Sequence, residues 1–248
     1  MKNILILLCI LGVFPLAAQP DAISTDDGEV TVTPILHATM VMEWKDLTIY
    51  IDPYGGSDRF ADFDRPDIVV ITHAHGDHLN KETLTGLDLS ASTLVAPQSV
   101  IDDLGDISFQ NVLGLDNGSD WDFRGVNIEA VPMYNLPDDE TSRHKKGWGN
   151  GYVISIGNKR FYISGDTEDI PEMRNLENID YAFVCMNLPY TMDINAAADA
   201  VLDFKPAVVY PFHFRGGDGN FSDVEAFKKL VNEGDSKIEV RIRDWYPE

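Results

Sequence analysis

Residues 68–78 read Ile-Val-Val-Ile-Thr-His-Ala-His-Gly-Asp-His, an apolar run followed at once by a polar loop. The run of β-branched residues predicts a buried strand. The loop holds three of the six histidines in the chain, at positions 73, 75 and 78. Polar side chains at the C-terminal end of a strand lie where sheets present their ligands, so we expect this loop to carry a functional site.

The spacing within this loop favours metal ions as the ligands of that site. His73 and His75 are one residue apart and can face one ion when the chain curls, which Gly76 permits because glycine tolerates unusual φ values. Asp77 and His78 are adjacent and then point toward a second position. Imidazole with carboxylate suits zinc, manganese or iron, and the lack of thiolates argues against a closed structural site. We predict two divalent metal ions as cofactors, zinc first, with manganese or iron as alternatives.

The loop resembles the H-x-H-x-D-H signature of the metallo-β-lactamase superfamily. Residues 165–167 (Gly-Asp-Thr) and His213 each follow an apolar strand, as matching residues of that family do. His37-Ala38-Thr39 and Ile51-Asp52-Pro53 look like segments of one branch, which contains the ascorbate-6-phosphate lactonase-like proteins and the N-acyl-phosphatidylethanolamine-hydrolysing phospholipase D. The resemblance implies an α/β fold, a four-layer αβ/βα sandwich with the site at one edge.

Carried over residue by residue, the resemblance implies a ligand set for two ions. The first ion would be bound by His73 and His75, the second by Asp77, His78 and His213, and both by Asp166. A hydroxide held between the ions would attack a carbonyl or phosphoryl centre, while one ion polarises the substrate oxygen. Asp77 and Asp166 are the expected catalytic residues, because their carboxylates could accept its proton.

One position departs from the family pattern. The family usually supplies a third histidine for the first ion shortly after a strand, in a stretch that resembles residues 131–135. Asn135 stands at that place, and His144 follows nine residues later. His144 could reach back from its loop as the missing ligand, because three protein ligands plus water is the usual open arrangement. Otherwise it lines the substrate cleft or is a solvated loop residue.

Four further residues are expected to contact the substrate or to orient the ligating side chains: His37, Asp52, Asn135 and Thr167. His37 has the alternative of a hydrogen-bonded structural histidine. Asp52 could equally cap a turn with Pro53.

The resemblance favours hydrolysis of a lactone, phosphoester or amide-type bond in a small polar molecule. The sequence around His37 and Asp166 points away from true β-lactam hydrolysis. Two alternatives stay open: an iron-dependent redox enzyme of the same fold, and a non-catalytic protein that binds a metal or ligand.

Charge excludes one class of partner. The 248 residues include 41 acidic and 19 basic residues, which gives a net charge of −22. A chain this acidic repels a phosphate backbone, and its only tight basic cluster is Arg143, Lys145 and Lys146. We therefore expect a small-molecule substrate and no nucleic acid; the sequence does not indicate the oligomeric state.

Residues 1–18 are typical of a secretory signal peptide. Lys2 precedes an apolar run at 4–13, and small residues at 15–18 predict cleavage between Ala18 and Gln19. The run is shorter than the roughly 20 residues that span a bilayer, so we expect no stable membrane insertion after cleavage. Export would leave residues 19–248 as a single metallo-hydrolase domain, in the bacterial periplasm.

Cysteine content agrees with that compartment. Loss of Cys9 with the signal leaves one thiol, Cys185, and no internal disulfide. Cys185 lies in the apolar run 181–186, which predicts a buried core thiol rather than a catalytic one.

Pattern alone predicts two strand-rich blocks with helices outside them. The predicted strands are 29–36, 40–44, 47–52, 68–72, 93–96, 126–131, 152–156, 160–164, 207–212 and 238–242. The predicted helices are 80–87, 195–204 and 223–231. Gly157-Asn158 predicts a two-residue hairpin turn, and Ser222 with Glu225 predicts a capping box.

Overall fold

Two seven-stranded sheets form the centre of the protein in the computed structural model, which describes residues 20–247. The predicted signal peptide, with Cys9, lies outside the described residues. The first sheet contains, in spatial order, β1 (Asp21–Thr25), β2 (Gly28–Leu36), β3 (Thr39–Trp44), β4 (Leu47–Ile51), β5 (Ile68–Val70), β6 (Thr93–Ala96) and β7 (Asn111–Gly114). The second contains β8 (Asp120–Phe123), β9 (Val126–Met133), β10 (Gly149–Ile156), β11 (Lys159–Ile163), β12 (Tyr181–Cys185), β13 (Val208–Phe212) and β14 (Glu239–Val240).

Both sheets repeat one plan. Strands β1 to β4 pair antiparallel and β4 to β7 pair parallel. Strands β8 to β11 likewise pair antiparallel, and β11 to β14 pair parallel. Because parallel strands end at the same edge of a sheet, the loops after β4, β5, β11, β12 and β13 can meet there.

Side chains alternate between the two faces of each strand, which explains why each sheet packs against the other sheet on one face and against helices on the other. On β3, Met40, Met42 and Trp44 face the second sheet, whereas Val41 packs with the helices outside the first sheet. Five α-helices are formed by the described residues: α1 (Lys81–Thr85), α2 (Gln98–Asp103), α3 (Pro171–Arg174), α4 (Ile194–Phe204) and α5 (Val224–Gly234). Leu84 of α1 and Val100 of α2 cover the first sheet, and the other helices cover the second. The predicted four-layer αβ/βα sandwich is confirmed.

Several local predictions are also confirmed. Strands β10 and β11 form the predicted hairpin, with Ile156 opposite Lys159 and Gly157 at φ 57° in its turn. Cys185 is a buried free thiol, and burial raises its pKa to about 12.

Separately, none of the helices formed by residues 20–247 is long and apolar enough to cross a bilayer; the longest have 11 residues.

The predicted capping box at α5 is wrong. The N-cap is Asp223, whose carboxylate accepts a hydrogen bond from the backbone N–H of Ala226 at 2.9 Å. Ser222 is not available, because its hydroxyl donates to the carbonyl oxygen of Met186. Helix α5 therefore starts one residue later and is anchored to the strand β12 end.

Candidate metal centre

Loops from both sheets converge at the edge where the parallel strands end. Thr72 and the residues after it leave β5, and they contact the loop after β4 through Asp52. Asp166 follows β11, Asn187 follows β12 and His213 follows β13. His144 lies between β9 and β10 of the second sheet.

The first group of candidate ligands contains three histidines. The ligand atoms of His73, His75 and His144 all lie within 4.8 Å of one another. His144 Nε2 is 3.2 Å from His75 Nδ1 and 3.6 Å from Asp166 Oδ2. His73 Nε2 lies 4.0 Å from the same carboxylate oxygen. The structure thus brings His144, and not Asn135, to the two histidines of the motif.

The second group lies on the other side of Asp166. His78 Nε2 and His213 Nε2 are 3.1 Å apart. Both nitrogens face Asp166 Oδ1, at 3.5 Å from His78 and 3.2 Å from His213. Asp77 Oδ2 lies 3.6 Å from His213 Nε2 and 4.0 Å from His78 Nε2. One oxygen of Asp166 therefore faces each group, as a bridging carboxylate requires.

The distances between the side chains of each group match those between ligands of a metal ion. Two nitrogens bound at about 2.0–2.1 Å to one tetrahedral zinc ion lie about 3.3 Å apart, close to the 3.1 and 3.2 Å separations between the paired imidazoles. Among the described residues, His73 Nε2 and Asp166 Oδ1 are buried without a hydrogen-bond partner. A buried polar atom left unpaired costs about 1–3 kcal/mol, so a cation at the first group would satisfy His73 Nε2 and a cation at the second group would satisfy Asp166 Oδ1.

In each group, half of the candidate ligands come from loops of the first sheet and half from loops of the second. In the first group, His73 and His75 lie in a loop of the first sheet, whereas His144 and Asp166 lie in loops of the second sheet. In the second group, Asp77 and His78 face His213 and the same Asp166.

Asp52 orients His78. Its Oδ2 lies 2.7 Å from His78 Nδ1, so the ring donates there and directs Nε2 toward His213. Thr72 fixes the carboxylate, donating its backbone N–H to Oδ1 at 2.8 Å and its hydroxyl to Oδ2 at 2.7 Å. The carboxylate thus supports a ligand and does not cap a turn with Pro53.

Asn135 orients His144 in a similar way. Its Oδ1 accepts from the backbone N–H and from ring Nδ1 of His144, both at 2.9 Å. Its Nδ2 donates to the carbonyl oxygen of Tyr190 at 2.9 Å. Thr167 does not act on an imidazole: its hydroxyl donates to the carbonyl oxygen and accepts from the N–H of Tyr134, which holds the end of β9.

His37 joins the C-terminal segment to the second group. Its Nε2 lies 3.1 Å from Asp77 Oδ2, and its Nδ1 lies 3.1 Å from the phenol oxygen of Tyr246. Tyr246 also accepts from the backbone N–H of Arg215 at 3.0 Å. A phenol that donates to Nδ1 leaves the proton of His37 on Nε2, where it can be donated to Asp77.

The backbone is strained at three of these residues. His37, Asp52 and His213 have φ values of 63°, 44° and 44°, in the left-handed region. Such conformations cost about 1–3 kcal/mol each and persist where the surroundings enforce them. Here the His213 N–H donates to the His37 carbonyl oxygen, and the His37 N–H donates to that of Trp245.

The protein groups alone set distinct protonation states. Burial lowers the pKa of His75 to about 4 and of His144 to about 3, and it lowers the pKa values of His73 and His213 well below their usual range. These four imidazoles are neutral at pH 7, with lone pairs ready for a cation.

The other titratable groups of the centre, His78, Asp77 and Asp166, are charged at pH 7 or titrate close to it. Burial opposes the charged form of His78, but the surrounding carboxylates, Asp52 first, raise its pKa to about 10. Burial raises the pKa of Asp166 to about 7. Burial also disfavours the carboxylate of Asp77, but His78 and the hydrogen bond from His37 hold its pKa well below its usual range.

Three contacts of the centre were not predicted from sequence. Asn187 Nδ2 lies 3.4 Å from His213 Nε2, and Trp148 covers the first group, with its ring centroid 4.9 Å from that of His75. Asn187 follows an apolar strand, as the motif does, and the same rule could have found it. No sequence pattern indicated Tyr246, because only the tertiary fold brings this residue to the site.

Comparisons with known proteins agree with this geometry. The family model described as the β-lactamase superfamily domain matches residues 31–213. A UPF0173 metal-dependent hydrolase of Thermococcus onnurineus is 32% identical over 184 residues, which covers 71% of this chain and 78% of that protein.

Two solved structures are similar over most of the chain. A candidate metal-dependent hydrolase from Parabacteroides distasonis is 35% identical, with a TM-score of 0.81 over 92% of this chain and 100% of that one. A metallo hydrolase from Ignicoccus hospitalis is 26% identical, with a TM-score of 0.71 over 86% of this chain and 94% of that one. The chain therefore belongs to the β-lactamase superfamily, and within it to the group whose curated members are named metal-dependent hydrolases.

Proposed function

We propose that this protein is a hydrolase that holds two divalent cations, zinc first and manganese or iron otherwise, and cleaves a lactone, phosphoester or amide-type bond in a small polar substrate. The observation that carries the proposal is Asp166, whose two oxygens face two separate groups of imidazoles. The names of the relatives at 32% and 29% identity, metal-dependent hydrolases, support the reaction class.

Seven side chains would hold the two ions. The first ion is assigned to His73, His75, His144 and Asp166, and the second to Asp77, His78, His213 and Asp166. Cations held by these side chains would supply a water of lowered pKa and would polarise a carbonyl or phosphoryl oxygen of the substrate.

The protein supplies orientation and proton transfer. Asp52 and Asn135 fix the rings of His78 and His144, so that the ligand nitrogens keep one direction. Asp77 is the most exposed carboxylate of the centre, with 38% of its side chain accessible, and is placed to take up a proton at the open side. The charge of His78 and the hydrogen bond from His37 keep Asp77 ionised, which suits its carboxylate to a cation.

The test is a screen of esters, lactones, amides, phosphomonoesters and phosphodiesters with protein that a chelator has stripped and one metal has reloaded. We expect hydrolysis to disappear on chelation and to return with zinc, or with manganese or iron in its place. Activity that survives complete metal removal would refute the proposal. A visible chromophore with iron and electron transfer without hydrolysis would favour the redox alternative, and tight metal binding without any turnover would favour a binding protein.

We also propose that the chain is exported through residues 1–18 and acts in a bacterial periplasm. The support is the sequence of that segment and the single remaining thiol. Mass spectrometry of the natural protein should give a chain that begins at Gln19, and an intact N-terminus would contradict the proposal.

A further inference from the structure

Arg143 lacks the partner that most arginines of this protein have. Six of the nine arginines in residues 20–247 lie within 4.0 Å of a carboxylate oxygen: Arg65, Arg124, Arg160, Arg174, Arg241 and Arg243. Arg143 has no such carboxylate among the described residues, although the chain has 41 acidic residues. Its two lysine neighbours are paired, Lys145 with Glu140 and Lys146 with Glu172, both at 2.6 Å.

Arg143 is nevertheless held in place. Its guanidinium carbon lies 4.2 Å from the ring centroid of Tyr190, a stacking contact that suits a planar cation. Tyr190 is fixed in turn, because its carbonyl oxygen accepts a hydrogen bond from Asn135 and its ring packs beside Gly217, where a Cβ atom would meet the phenol oxygen at 2.4 Å.

The position of this charge is unusual for a metal centre. Arg143 directly precedes the candidate ligand His144, and Tyr190, on which it stacks, accepts a hydrogen bond from Asn135, the residue that orients His144. A fixed cation beside two divalent ions is repelled by them. The arrangement becomes favourable when an anion binds between the arginine and the ions.

Exposed apolar side chains lie in loops around the candidate centre, as Arg143 does. Four large hydrophobic residues of the described chain are notably exposed, and three of them lie in loops next to the centre: Leu136 at 43%, Leu188 at 50% and Phe221 at 56%. The loops touch, since Gly217 N–H donates to the Leu188 carbonyl oxygen, and Phe221 packs on Tyr246 with ring centroids 4.9 Å apart. Exposed apolar residues grouped at a site mark a binding surface.

We propose that Arg143, stacked on Tyr190, binds a carboxylate or phosphate group of the substrate, which therefore carries an anionic end and a short apolar part beside the bond that is cleaved. The inference rests on the proposed hydrolase function for the reaction, but the binding it describes can be measured without turnover. A guanidinium binds either oxyanion through two parallel hydrogen bonds.

Binding of non-hydrolysable anions to zinc-loaded protein tests this inference. Calorimetry at constant ionic strength compares butyrate with succinate and 3-phosphonopropionate, and pentanoate with glutarate and 4-phosphonobutyrate. Each ligand has one carboxylate for the metal ions, and only the dianions have a second group for Arg143. Two chain lengths are used because the distance between Arg143 and the metal ions is not known. Comparing the dicarboxylates with the phosphonates shows which kind of anion Arg143 prefers.

We expect at least one dianion to bind about tenfold more tightly than its monoanion, although the net charge of −22 opposes it. The preference should vanish in Arg143→Gln, fall in Tyr190→Ala and survive in Tyr190→Phe. Arg65→Gln is the matched control, because that exposed arginine precedes β5 at the opposite edge of the sheet.

Equal affinities for dianion and monoanion at both lengths would overturn the inference. A preference that persists in Arg143→Gln would overturn it too. If the preference depends on Arg143 but no ester, lactone, amide or phosphoester is hydrolysed, the anion site stands and the proposed hydrolase function fails.

Discussion

Asn135 Oδ1 accepts hydrogen bonds from both the backbone N–H and the ring Nδ1 of His144, at 2.9 Å each. Asn135, at the place where the family usually has a ligand, thus supports the candidate ligand His144, nine residues later. The bond to the backbone fixes the loop, and the bond to the ring directs Nε2 toward His75. The first group of ligands depends on this pair.

Asn135→Ala should therefore weaken the first metal site. Both hydrogen bonds to His144 are lost, and loss of such a supporting contact lowers metal affinity about 10–100-fold. Competition with a chromophoric chelator measures the affinity of each ion. Asn111→Ala, on the edge strand β7, is the control; unchanged affinity for both ions in Asn135→Ala would show that His144 is not a ligand.

Metal binding at the second site should release protons. His78 has a pKa of about 10 and must become neutral to bind an ion, so binding expels about one proton between pH 7 and 9. Affinity then rises about tenfold per pH unit in that window, and more steeply below pH 7, where Asp166 with a pKa of about 7 also loses a proton. Calorimetry in buffers of different ionisation enthalpy counts the protons. A pH-independent affinity would contradict the assignment of His78.

Asp52→Asn should change that pH dependence and weaken binding. Among the groups that raise the pKa of His78, the Asp52 carboxylate contributes most, so its loss flattens the dependence of metal affinity on pH between pH 7 and 9. At pH 9, where protons compete least, we expect about 10–100-fold lower affinity, because His78 loses its orienting partner. Asp62→Asn, an exposed carboxylate, should behave as the wild type.

Asp77→Ala and Asp166→Ala should each reduce turnover by about a hundredfold or more, since even supporting residues cost that much. Both variants should keep the fold, because both side chains lie at the sheet edge and outside the hydrophobic clusters. Initial rates on any substrate found in the screen, with circular dichroism as the check on folding, decide the matter. Rates like those of wild type in either folded variant would remove that residue from the mechanism.

Tyr246→Phe removes the two hydrogen bonds of the Tyr246 hydroxyl, to His37 and from the backbone N–H of Arg215. The ring keeps its contacts with Phe214 and Phe221, but the oxygen that contacts His37 Nδ1 and accepts from Arg215 is lost. We expect unfolding to become easier by about 1 kcal/mol in urea, because the Arg215 N–H loses its partner. Tyr181→Phe is the comparison, and an equal change in both variants would mean that the hydrogen bonds of the Tyr246 hydroxyl contribute nothing to stability.

The sequence predicted the motif loop well because its signals are local. An apolar run followed by clustered histidines indicates a strand and a ligand loop without knowledge of the fold, and the structure gathers His73, His75, Asp166 and His213 into one place. Strand ends were less accurate: residues 68–72 were predicted as a strand, and β5 ends at Val70. The chain bends there so that Thr72 can reach Asp52.

Other features depend on contacts between distant segments. Whether His144 or Asn135 reaches the centre is decided by a loop conformation that no periodicity encodes. Tyr246 arrives from the far end of the chain because Trp245 is fully buried against Phe183 and Phe212. Edge strand β7 was not predicted because it is short, mostly exposed and without alternation, whereas the missed edge strand β8 does alternate acidic and aromatic residues over its four positions, and the alternation rule could have found it.

The equal division of each ligand group between the two sheets has a consequence for biogenesis. A nascent chain with only residues 20–114 folded offers His73, His75, Asp77 and His78, which is two donors for each cation and too few to hold it firmly. Tight uptake must wait until the C-terminal half has folded and brought Asp166 and His213 alongside. Loading with metal would then report that maturation is complete, and an immature chain would not compete for a scarce ion.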